Sequence, residues 1–187
     1  MKSYAIEVLF NQEFDEYVRD LWRQCDINNV SSFMNQVKGT EPHIALAVYE
    51  SIDLEKVKTR FNEFINQDLF SFELVFDAVG IFQTSNVTFL QPNVKMEFTD
   101  LMMQVHEYFQ DFKNQTNLYY SPERWFPHVT VAKNNTSDEL KGTIEFIIER
   151  FNPQKAKVKR LVLVEIEYID GNVICRNIGS KELEERL

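Results

Sequence analysis

The chain predicts an α+β fold made by duplication, with two lobes whose antiparallel-rich sheets line a central cleft and whose helices lie outside. Three observations lead there. The run Pro42-His43-Ile44-Ala45-Leu46-Ala47 recurs as Pro127-His128-Val129-Thr130-Val131-Ala132, although the chain holds only three histidines. The offset of 85 that relates the two runs, from 43 to 128, also superposes the flanking periodic segments. Those segments alternate between helical and strand periods, in the same order in each half.

The elements follow in chain order. Tyr4 to Phe10 alternates like a strand. Gln12 to Cys25 carries Phe14, Tyr17, Val18 and Leu21 at helical spacing, and the offset lands it on Glu97 to Gln110, where Leu101, Met102, Val105 and Phe109 repeat the stripe. After the first His run, Ser51-Ile52-Asp53 caps a helix with Leu54, Val57, Phe61, Phe64 and Ile65 on one face. After the second, Thr136-Ser137-Asp138 does the same for Leu140, Ile144, Ile147, Ile148 and Phe151. Strands then follow at Phe72 to Phe82 and Lys157 to Glu167, each with a turn (Thr84-Ser85-Asn86 or Asp170-Gly171-Asn172) and a second strand, Val87 to Gln91 or Val173 to Ile178. The repeat is far longer than a solenoid period, so it implies two lobes, about 4–91 and 95–180, within one domain spanning 1–187. Pro92 to Lys95 is the crossover, too short to make the lobes independent.

Composition sets further bounds. A hydrophobic fraction of 44% supports a full core. Met1-Lys2-Ser3 runs straight into strand-like alternation, with no signal peptide and no membrane-length apolar run. Cys25 and Cys175 stand alone, with no CxxC, so a cytoplasmic, disulfide-free protein is expected and the Asn-x-Ser/Thr triplets are read as accidental. A net charge of −9 argues against a broad grip on long nucleic acid and favours a small substrate. There is no Gly-rich phosphate loop, no carboxylate cluster at metal-ligand spacing and no nucleophile elbow, and no cofactor is read from the chain.

Strict alternation places His43, Ala45 and Ala47 on one face of their strand, and His128, Thr130 and Ala132 on one face of theirs. Small residues beside each histidine leave room for a ligand, and imidazole is the side chain whose ordinary pKa suits both acid and base at neutral pH. His43 and His128 are therefore the candidate catalytic pair, and Thr130 the candidate phosphate donor. The competing reading, two satisfied core histidines surviving a duplication, explains one such residue better than it explains a matched pair. His106 sits beside the apolar stripe of its helix and reads as a helix-border residue. Arg124, Trp125, Phe126 and Tyr120 precede the second run; its aromatics are suited to stacking a base, with core packing an equal alternative. Lys155, Lys157, Lys159 and Arg160 read as a solvated strand face.

Two His-x-Thr/Ser-x motifs, one per half of a duplicated α+β fold, are similar to those of the 2H phosphoesterase superfamily, which includes bacterial 2′-5′ RNA ligase-like proteins and cyclic nucleotide phosphodiesterases. His128-Val129-Thr130-Val131 matches outright, and Arg124-Trp125-Phe126-Pro127 resembles the approach to the second motif. The first motif departs from the pattern: His43-Ile44-Ala45-Leu46 has alanine where a hydroxyl is expected. The resemblance implies a metal-independent phosphodiesterase or RNA end-processing enzyme that hydrolyses 2′,3′-cyclic phosphates or 2′-5′ phosphodiester bonds, or, as in some members, joins RNA ends through the same bond. With the net charge it points to a nucleotide or short RNA terminus as ligand, and a monomer is expected. The alternative implied by Ala45 is a module that binds such a ligand without turning it over.

Overall fold

A computed structural model describes residues 2–185. In order, the elements are β1 (Lys2–Phe10), α1 (Gln12–Ile27), α2 (Phe33–Gln36), β2 (His43–Glu50), α3 (Leu54–Phe64), β3 (Phe72–Phe82), β4 (Val87–Asn93), α4 (Met96–Tyr108), β5 (Val129–Lys133), α5 (Ser137–Arg150), β6 (Gln154–Ile169) and β7 (Asn172–Glu182), with 3₁₀ segments at Gln110–Gln115 and Leu118–Tyr120. The expected caps form: the Asp53 carboxylate accepts from the Lys56 N–H, and the Thr136 hydroxyl accepts from the Glu139 N–H. Asp170 and Gly171 both have positive φ and close the β6–β7 hairpin, the geometry that an Asp-Gly pair tolerates best. Among the described residues no helix is long and apolar enough to cross a membrane.

The strands form one seven-stranded antiparallel sheet in the order β2-β1-β6-β3-β4-β5, with β7 also on β6. β6 is the spine. Its residues Arg160 to Glu167 pair with β1 on one edge and β7 on the other, while Gln154 to Val158 pair with β3. Strands from the two halves of the chain interleave in this sheet. β4 of the first half pairs with β5 of the second, β3 pairs with β6, and β6 and β7 of the second half complete the sheet begun by β1 and β2. The physical reason is the return of β6 between β1 and β3, which interleaves the two copies. A single cluster of buried apolar side chains accordingly runs through both, from Tyr4 and Phe14 to Ile147 and Leu183.

The sheet path bends back until its two end strands, β2 and β5, approach within 8 Å between Cα atoms. These are the strands that carry the two His runs. Ends of a sheet present unpaired backbone groups, and three side chains from other elements satisfy them here. Trp125 Nε1–H donates to the Ala45 carbonyl (2.9 Å), His106 Nε2–H to the Leu46 carbonyl (3.1 Å), and Trp22 Nε1–H to the Thr130 carbonyl (3.0 Å). His106 thus has a definite role on α4: it ties that helix to β2.

Candidate active site

Both His-bearing strands carry a β-bulge at the same place. Along β1 and β2, Glu7 pairs with Ala45 and Ile6 with Ala47, leaving Leu46 extra; along β4 and β5, Phe89 pairs with Thr130 and Thr88 with Ala132, leaving Val131 extra. A bulge shifts the alternation of faces beyond it. Ala47 and Ala132 consequently turn into the main core with Leu46 and Val131, and Val48 joins Ala45 on the opposite face. The expectation that Ala47 and Ala132 face the ligand space is corrected by this extra residue. His43 and Ala45 precede the bulge in β2, as His128 and Thr130 do in β5, so their placement is unaffected.

Each histidine is anchored by the same device. Nδ1 of His43 lies 2.7 Å from the Glu41 carbonyl oxygen, and Nδ1 of His128 lies 2.7 Å from that of Phe126. A carbonyl oxygen accepts only, so Nδ1 carries the proton in each ring and Nε2 is left for chemistry. The loop leading to His43 is fixed from the far side by β7. Cys175 N–H donates to the Lys38 carbonyl (2.7 Å), and Gly39 has φ +75°, where a Cβ would stand 2.2 Å from the Cys175 carbonyl oxygen. Only glycine allows that approach.

The surroundings of the two rings differ. His128 stands in an aromatic box, with Phe82 edge-on at 4.8 Å and Phe89 at 5.3 Å, and Phe126 packed against both phenylalanines at 5.7 and 5.6 Å. Gly80 makes the box possible, since a Cβ there would lie 2.3 Å from the Phe89 ring. Burial pushes the His128 pKa down, the Phe126 carbonyl opposes this, and the charge of His43 adds to the lowering. His43 faces instead the carboxylate of Glu7, whose Oε1 is 3.6 Å from Nε2 and whose side chain is only 7% exposed. Burial pushes the Glu7 carboxyl up, the His43 imidazolium pulls it down, and Glu41 raises it again.

Thr130 is half-buried opposite Phe89, and among the described residues none accepts from or donates to its hydroxyl. Ala45 is nearly buried and packs with Ala5, Val48 and Tyr120. Tyr120 therefore reaches the first motif, its hydroxyl pushed up to about 12 by burial and by the charge of Glu7. Phe126 is 41% exposed beside the His128 ring, where a flat ligand can lie on it. Trp125 is committed elsewhere: it donates to Ala45 and packs edge-on against Phe98 at 5.0 Å, so it braces the site. Arg124 lines a separate cavity of about 590 Å³ together with His106, Lys113 and Leu118, whose walls include neither His43 nor His128. The residue that sequence reasoning missed is Glu7. Its signal is a lone acid within the apolar strand Ala5 to Phe10, on the face shared by Ala5.

Among the described residues no group of three or more His, Cys, Asp or Glu side chains is placed to hold a metal ion. The arrangement offers two Nε2 atoms and a free hydroxyl, which suffices to move protons around a bound phosphate. No curated protein matches the chain in sequence. Among solved structures, the chain is similar to Escherichia coli LigT in complex with 3′-AMP (TM-score 0.65, 12% identity, covering 98% of this chain and 99% of that one). It is likewise similar to a structure described as a phosphoesterase (TM-score 0.66, 13% identity, 99% and 100% covered). A third likeness is to TT0787 of Thermus thermophilus (TM-score 0.65, 12% identity, 99% and 100% covered). At these identities the likeness shows the fold. The model of the 2′-5′ RNA ligase superfamily matches residues 13–168, and the chain, with its LigT-like architecture and paired His strands, belongs to that superfamily, within the 2H phosphoesterases.

Proposed function

We propose that this protein is a phosphodiesterase that opens 2′,3′-cyclic phosphates or cleaves 2′-5′ phosphodiester bonds, with His43 and His128 as its acid–base pair. The observation that carries this reading is the matched clamp on the two rings, Nδ1 held by the carbonyl two residues earlier in both, which leaves each Nε2 to exchange a proton, beside Glu7 for His43 and among phenylalanines for His128. One Nε2 takes the proton of the attacking water and the other gives a proton to the departing ribose oxygen. The Thr130 hydroxyl donates to a non-bridging oxygen of the phosphate, and Phe126 supplies a surface for the base. None of these steps calls on a metal. The partner is a nucleotide or a short RNA terminus, consistent with a net charge of −9, and E. coli LigT has been solved with 3′-AMP, ATP, NADP+ and phosphate. A cytoplasmic monomer is the setting proposed.

A second reading, binding without turnover, draws on Ala45, which leaves the first strand without a hydroxyl donor. Incubating the purified protein with 2′,3′-cyclic nucleotides and with 2′-5′ and 3′-5′ linked oligonucleotides separates the two. Under the enzyme reading, His43→Ala and His128→Ala each lower kcat about 10²–10⁴-fold, and the double variant is little worse than either. Binding of these compounds with no product would establish the second reading.

A further inference from the structure

The two lobes are not chemically equivalent where their strands pair beside the motifs. Phe89 stands opposite Thr130 in the β4–β5 ladder, and the matching place in the β1–β2 ladder, opposite Ala45, is taken by Glu7. One histidine is thus enclosed by aromatic rings and the other faces a buried carboxylate across 3.6 Å. Burial makes the Glu7 carboxylate costly to charge alone, and an imidazolium at His43 opposes that cost, so the two groups favour each other's charged forms. Among the described residues an imidazolium at His128 has no carboxylate partner, only phenylalanines and the charge of the other ring.

We propose that Glu7 is a positioning residue that holds the proton-donating form of His43, so that His43 acts as the acid and His128 as the base in hydrolysis. The proposal rests on the phosphodiesterase reading above for its reaction, and on the Glu7–His43 geometry for its assignment. The step balances as follows. His128 Nε2 accepts a proton from water as the water oxygen bonds to phosphorus; the bond from phosphorus to the ribose oxygen breaks, and the Nε2 proton of His43 passes to that oxygen. The histidines end with their charges exchanged, and solvent returns them to the starting state. Other titratable groups share this space: Glu41, itself paired with Arg160 at 2.9 Å, and Tyr120 and Cys175, both of which sense Glu7. Tyr120 and Cys175 are pushed up to about 12 and about 11, chiefly by burial and above the pH range measured, so a charge-removing variant at position 7 isolates the carboxylate.

Glu7→Gln keeps the side chain's shape. Measured from pH 5.5 to 9 on a 2′,3′-cyclic nucleotide, kcat should fall most on the alkaline limb of its profile, where the donor must keep its proton without the opposing charge. At pH 8 that is a fall of about 10- to 100-fold, with KM within about threefold and the acid end of the profile nearly intact. Glu7→Asp, which keeps the charge, should restore part of the limb. A uniform loss of kcat at every pH, with the limb in place, would reduce Glu7 to a structural residue and overturn the proposal. The ring resonances of His43 followed by NMR give a readout that needs no turnover: in Glu7→Gln its proton should leave at lower pH, and no movement overturns the pairing. If the unaltered protein cleaves nothing in the panel while the His43 resonance does move, the phosphodiester reading fails and the Glu7–His43 pair stands.

Discussion

Replacing Trp125 with phenylalanine removes one hydrogen-bond donor and little else. The ring would still pack edge-on against Phe98, but the Ala45 carbonyl on the outer edge of β2 would lose its partner. Ala45 is only 9% exposed, so that oxygen is poorly placed to find water instead. An unsatisfied buried acceptor costs about 1–3 kcal/mol, and in a chain of this length each 1 kcal/mol lowers Tm by about 2–4 °C. Thermal melts of Trp125→Phe should therefore fall by about 2–12 °C. The same bond ties the approach to His128 onto the strand of His43, and a slip of about 1 Å in a catalytic pair can cost about 10²-fold. At temperatures well below either Tm, kcat for a 2′,3′-cyclic nucleotide should drop at least about tenfold. Trp22→Phe is the matched control, because it strips the same kind of donor from the Thr130 carbonyl without uncoupling one motif from the other. Equal losses of Tm in the two variants with undiminished kcat in Trp125→Phe would refute the idea that this bond sets the spacing of the histidines.

Two other outcomes follow from the geometry. Burial holds the pKa of both His106 and His128 below the ordinary value, so the native protein binds fewer protons than the unfolded chain once pH falls under about 6.5. Stability from these groups is fully present above that pH and declines below it; Tm should fall between pH 7.5 and 5.5, and fall less in His106→Gln, an equal fall meaning that His106 is not neutral in the native state. At position 45, serine should fit and raise kcat/KM up to about tenfold by supplying the missing donor, whereas the added methyl of threonine meets Ala5 and Tyr120 and should lower Tm by about 2–4 °C. Isothermal titration with inorganic phosphate checks the donor directly, and weaker phosphate binding in Ala45→Ser would show that the hydroxyl bonds to Glu7 instead.

Much of the architecture is legible in the sequence because the repeat reports it twice. The helices with Phe14 and Leu21, and with Leu101 and Val105, the caps at Asp53 and Thr136 and the Asp-Gly hairpin all stand where periodicity and turn chemistry place them. What periodicity misses is set by pairing between distant strands. The extra residues Leu46 and Val131 read as ordinary members of an alternating run, and only their registers against β1 and β4 show them as bulges. The exchange of strands between the two halves has the same origin, since nothing local distinguishes β6 paired with β1 from β6 paired with its own neighbour β5. Glu7 escaped for a related reason: one acid in a strand resembles a solvated face until the fold buries it against the opposite histidine. Arg124 and Trp125 adjoin His128 in sequence, but Arg124 turns to another cavity and Trp125 spends its N–H on the backbone of β2.

The spine position of β6 has a consequence for how the chain must acquire its shape. β1 pairs with β6 across a sequence separation of about 150 residues, and β3 meets it across about 80. Such non-local pairings place a protein among the slow folders, because loop closure is charged before the contacts return anything. Until Ile169 has left the ribosome, the β1–β2 and β3–β4 pairs each expose an edge that β6 will occupy, together with apolar faces awaiting Leu161 and Leu163. The two repeats should therefore not fold as separate modules. A chain halted after α5 would hold most of a duplicated sequence and neither half of the sheet complete, and its open edges would favour self-association over a stable single lobe.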